Sequence, residues 1–164
     1  MKKIVLVLLT FVPFIIGRVN NISLVLLPPG IGGFVWLMLP LLTTIFWFFL
    51  GREYGRSAWK TIPALLIGNA TGIISLVIYV WQYLLTNDEM VNISLLTTAH
   101  MFSNAAPLYL FARIGMLFET QPNYVGTATV AAMNIIAFIY WIVIFSCGFI
   151  WGRKGKNKAA AQDN

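Results

Sequence analysis

The sequence predicts an all-α, polytopic integral membrane protein: a helix bundle of five spans, or of four spans plus one re-entrant or interfacial segment. Two observations carry this reading. Of the 164 residues, 59% are apolar and 10% charged, against roughly 45–50% and 25% in soluble domains. Mean hydropathy is +0.82, more apolar surface than so small a soluble fold can hide, so lipid must solvate most of the chain. The five acids (Glu53, Asp88, Glu89, Glu119, Asp163) also all fall outside the apolar runs. These facts exclude a soluble enzyme and a disordered chain. The single Cys147 excludes a disulfide scaffold.

Roughly 20 apolar residues cross a bilayer core. The first run, Ile4–Leu27, contains Pro13 and is interrupted at Arg18–Asn21. It crosses if Arg18 snorkels to an interface. Met1–Lys3 and the apolar run resemble a signal peptide, but no small-residue cleavage site follows, so the span is expected to be retained. Pro28-Pro29-Gly30 should then turn the chain tightly into the second run, Ile31–Leu50. The third and fifth runs, Ile62–Leu85 and Val125–Trp151, are long and clean. The fourth, Ile93–Phe118, is the least apolar, with Thr97, Thr98, His100, Ser103, Asn104, Pro107 and Arg113. Residues 1–152 read as one transmembrane domain and 153–164 as a basic, flexible tail. Trp47, Trp59, Trp81 and Trp151 fall near span ends, as an interfacial belt requires, while Trp141 should pack against another helix.

Eleven Lys and Arg give a net charge of +6. They cluster at Lys2 and Lys3, at Arg52, Arg56 and Lys60, and at Arg153, Lys154, Lys156 and Lys158. The positive-inside rule makes the N-terminus and loop 51–61 cytoplasmic and the turn Asn87–Glu89 external, in a multi-pass plasma-membrane protein. If the fourth run crosses, the basic tail ends outside. If it does not, all three clusters share one face. Charge thus favours four spans, while the length of the fourth run favours five. No folded soluble part presents the charges to nucleic acid.

Gly68 and Gly72, four apart, should let a second backbone approach the third span. Asn69, Ser75, Tyr79, Gln82 and Tyr83 extend that small and polar stripe. The fifth span has a comparable face with Thr127, Ala131, Asn134, Trp141 and Gly148. Gly148 and Gly152 are also four apart, but at the span boundary the motif is weak. Thr97, His100 and Asn104 share one side of the fourth run, and Pro107 should free a carbonyl near Ser103. Asn69, Ser75, His100, Asn104 and Asn134 are therefore the candidate intramembrane polar cluster, with Gly68 and Gly72 as packing positions. Two short echoes, Asn21–Leu24 with Asn92–Leu95 and Phe49–Arg52 with Ile150–Arg153, are too brief to establish a repeat. The two Asn-x-Ser matches are read as chance.

No nucleophile–base pair, metal-ligand spacing or paired carboxylate lies within a span. No catalytic residue, metal site or cofactor is expected. The reading that remains is a non-catalytic subunit, accessory or protective partner of a larger membrane complex, bound to lipid and to a membrane-protein partner or another copy. The alternative is a small oligomeric transporter or channel.

Overall fold

The computed structural model describes residues 2–57, 59–118 and 126–162. Among these no strand occurs, and the chain is a helix bundle. Its helices are α1 (Lys3–Leu9), α2 (Val12–Leu26), α3 (Pro29–Arg56), α4 (Thr61–Gly68), α5 (Ala70–Tyr79), α6 (Ile93–Asn104), α7 (Leu108–Gly115) and α8 (Thr127–Gln162). Three helical segments are long and apolar enough to cross a membrane: Lys3–Leu26, Pro29–Arg56 and Ala128–Lys156. A fourth candidate, Thr61–Leu85, is bent by 53°. Leu8, Ile15, Val25, Phe34, Leu42 and Ile139 point outward, as lipid solvation requires.

Local chemistry explains each boundary. The Pro13 ring cannot coexist with a helical carbonyl four residues back, so α1 stops at Leu9 and α2 starts anew. Pro28 forces Leu27 into extended backbone, and Pro29 opens α3 from its first position. Asn69 sits at the bend, where its side chain donates to the Leu65 carbonyl at 2.9 Å. A π-helical stretch, Val80–Leu85, follows α5. Asn92 then caps α6 by accepting from the Leu95 N–H at 3.1 Å. The echo at Asn92 is thus a helix cap.

α3 and α8 form the main seam and run parallel. Thr44 meets Tyr140, Trp47 meets Trp141, Gly51 meets Phe145, and Gly55 meets Phe149. Glycines make this approach possible. A Cβ on Gly51 or Gly55 would strike the Phe145 or Phe149 carbonyl, and one on Gly148 or Gly152 would strike the Phe48 or Arg52 carbonyl. The boundary glycines, a weak motif by sequence, are therefore half of the close approach between α3 and α8. The likeness of the Gly-Arg ends reflects two helices packed side by side at one depth.

Several expectations are corrected. Trp47 is fully buried, not interfacial; its indole N–H donates to the Trp141 carbonyl at 3.0 Å, and Phe102 and Phe145 stack around it. Trp141 packs inside as expected, and Trp81 and Trp151 are exposed. α3 continues through Arg56, so half of the expected loop 51–61 is helix. α8 continues through the basic segment to Gln162. In the first turns of this extension Arg153 donates to the Thr61 hydroxyl at 2.7 Å and Lys156 to the Ser57 carbonyl at 3.4 Å.

The fourth run is not one helix. α6 descends alongside α5: Asn92 lies at Gln82, His100 beside Tyr79, and Phe102 against Gly72. Ala105, Ala106 and Pro107 break it, all buried. α7 then climbs back along α8, with Phe111 at Tyr140 and Gly115 at Met133 and Thr129. The pair is a hairpin whose tip lies inside the bundle. The carbonyls at that tip are satisfied: Ser103 accepts from the Ala106 N–H at 2.9 Å, and Asn104 from the Asn20 amide at 3.0 Å. Pro107 therefore frees no carbonyl at Ser103. Glu119 lies outside the described residues.

Candidate functional site

His100, on α6, and Asn134, on α8, meet at 3.0 Å through Nδ1 and Oδ1. The Asn134 NH2 donates to the Val130 carbonyl at 2.8 Å, one turn back on its own helix. A carbonyl only accepts, so this bond fixes which end of the amide faces His100. The end that does so is the oxygen, and His100 Nδ1 must carry the hydrogen. Neutral His100 is then the Nδ1–H tautomer, with a lone pair on Nε2. The Ser103 hydroxyl completes the group, close to Asn134 Oδ1 and 2.8 Å from the His100 carbonyl.

Aromatic rings wall this group. Tyr79 lies over the imidazole with centroids 6.3 Å apart, and Tyr83 stacks on Tyr79 at 5.0 Å. The Tyr79 hydroxyl is buried and approaches Asn134, yet makes no hydrogen bond of acceptable geometry. Beside it lies a cavity of about 20 Å³, lined among others by Ser75, Tyr79, Ser103 and Asn134. That is room for about one water. On the outer side a larger cleft of about 340 Å³ opens, with Asn21, Tyr83, Thr97, His100 and Asn104 on its walls.

The structure thus brings together four of the five sequence candidates. His100 and Asn134 bond directly, Ser75 lines the inner cavity, and Asn104 lines the outer cleft with His100. Asn69 is apart: its amide is bound to its own helix at the bend, so it is not the partner of His100. Gly68 and Gly72 face protein, but what packs on them is aromatic side chain, not backbone. Gly68 lies under the Phe145 ring, and Gly72 under Phe102 and Phe138. Among the described residues no three His, Cys, Asp or Glu side chains gather where they could share a metal ion.

Tyr79, Tyr83, Ser103 and Asn21 belong to the site although the sequence did not single them out as a cluster. Tyr79 and Tyr83 are four apart on the stripe of the third span, which was their only signal. Asn21 reaches the site by a helix crossing that no local pattern encodes. No family model, characterised protein or solved structure matches the chain.

Proposed function

We propose that this chain is a non-catalytic integral membrane protein that acts through contacts with a membrane partner. In this reading it crosses the bilayer four times, and α6–α7 is a re-entrant hairpin. Convergence of the three basic clusters supports the topology. Lys3 lies 5.2 Å from the Trp59 ring, Arg153 bonds Thr61, and Lys156 bonds Ser57. The N-terminus, the loop after α3 and the end of α8 therefore share one end of the bundle, which the positive-inside rule makes cytoplasmic. Four crossings satisfy this arrangement and five do not.

One observation carries the non-transport reading. The centre of the bundle is filled by Trp47, Phe102, Trp141 and Phe145, all at most 3% exposed. The neighbouring inner cavity holds about one water, and this filled centre supports a reading without a solute path through it. His100 is oriented by an amide rather than a carboxylate, which supports a non-catalytic role. Gentle detergent extraction from native membranes, followed by native-mass measurement, tests this. The chain should migrate in an assembly well above its own 18.4 kDa, with a second protein present in fixed ratio. Migration as the bare chain would overturn the proposal.

The helix breaks favour a second reading. Discontinuous helices in membrane proteins often line substrate sites. Thr10, at the α1–α2 break, accepts from Thr71, beside the α4–α5 bend, at 3.0 Å. A chain whose helices hinge at these breaks would be a transporter. Solute flux by the purified chain in liposomes would select that reading.

A further inference from the structure

The outer cleft beside His100 has the makings of a ligand site, independent of which partner the protein binds. Its volume is about 340 Å³, within the range of small-molecule pockets. A cavity of about 150 Å³ accommodates benzene, so one or two substituted rings fit. One wall is the stacked pair Tyr79 and Tyr83. The polar groups are Asn21, Thr97, His100 and Asn104, and among the described residues no Lys, Arg, Asp or Glu lines it. The nearest cation in the neighbouring groove, Arg18, lies beyond Thr97 and Met101, which line both spaces. Leu96, Met101 and Val130 supply the apolar part of the lining.

These features restrict the ligand. A charged molecule would lose its hydration and meet no counter-charge. A purely apolar one would leave His100 and the amides unpaired. His100 adds direction. Its Nδ1–H is committed to Asn134, and among the described residues Nε2 has no partner. In neutral His100 that nitrogen accepts, so the complementary group must donate. A flat ring would stack on the tyrosine wall.

We propose that the cleft between α2, α5, α6 and the start of α8 binds an uncharged, lipid-soluble phenol of hydroquinone type, its hydroxyl donating to His100 Nε2 and its ring against Tyr83. The second hydroxyl would meet the Asn21, Thr97 or Asn104 side chains. The alkyl tail would lie along Leu96, Met101 and Val130.

His100 is the single histidine of the chain, so its two ring nitrogens give unique signals. The test uses the full chain, labelled with 15N-histidine, in phosphatidylcholine nanodiscs. The probe is decylhydroquinone kept reduced, with its dimethyl ether as the control that cannot donate. Before addition the spectrum should show the Nδ1–H tautomer. Decylhydroquinone should bind saturably at one per chain and move the Nε2 resonance, leaving the Nδ1 signal in place. The ether should bind about tenfold more weakly, the loss of one net hydrogen bond, and leave Nε2 unmoved. Tyr83→Ala should weaken hydroquinone binding about three- to tenfold, and Thr97→Val should leave the fold intact as judged by near-UV circular dichroism. The proposal is overturned by an Nε2–H tautomer in the free protein. Equal binding of ether and hydroquinone, or uptake no greater than partition into empty nanodiscs, overturns it as well.

Discussion

At the scale of single residues, glycines separate two kinds of packing. Gly148 rests on the Phe48 carbonyl, a backbone atom fixed by its own helix. Gly72 rests on the edges of the Phe102 and Phe138 rings, side-chain atoms not held by helical hydrogen bonds. Gly148→Ala should therefore cost more than Gly72→Ala, about 1–3 kcal/mol for the former as an overpacked contact. Thermal unfolding in detergent measures both. A larger loss at Gly72 would mean that the rings, not the α3–α8 backbones, are the rigid element. The Gly68-x-x-x-Gly72 spacing was visible in the sequence, yet its partner was not. Spacing marks a groove and leaves open whether a backbone or a ring fills it.

At the scale of elements, the fourth run decides the topology. Its polar residues and Pro107 were evident, and both of the alternatives they allow respect the sequence. Only the contacts of Phe102 with Gly72 and of Gly115 with Met133 show that the chain enters the bundle and returns. Single cysteines in a Cys147→Ser background test the consequence. Positions 90 and 116 should react with a membrane-impermeant thiol reagent from the same, external side. Position 154 should react only after the membrane is opened. Labelling of 116 and 90 from opposite sides would restore the fifth crossing.

For the whole molecule, stability rests on aromatic packing in the parallel α3–α8 seam. Trp47 touches Phe102, Trp141 and Phe145 and also bonds the Trp141 carbonyl. Its position close to the end of an apolar run suggested a membrane interface, but α3 continues past that run to Arg56. Trp47→Ala should cost about 3–5 kcal/mol, the range for removing a large buried ring. Its near-UV circular dichroism should weaken with it. A neutral substitution would show that lipid fills the gap.

The sequence alone determined the solvent, the helical class and the places where proline interrupts a helix. These follow from local properties: hydropathy, which selects lipid; backbone hydrogen bonding, which in lipid demands helices; and proline, which blocks a bond wherever it stands. It also marked His100 and Asn134 as groups in need of partners, because an unpaired polar group in hydrocarbon costs several kcal/mol. Tertiary structure decided who the partners are. His100 chose Asn134 while Asn69 bonded its own turn, the boundary glycines of α3 and α8 each found the backbone of the opposite helix, and the fourth run folded back on itself. Each of these depends on the relative depth and direction of helices far apart in the chain, and periodicity within one helix carries no information about either.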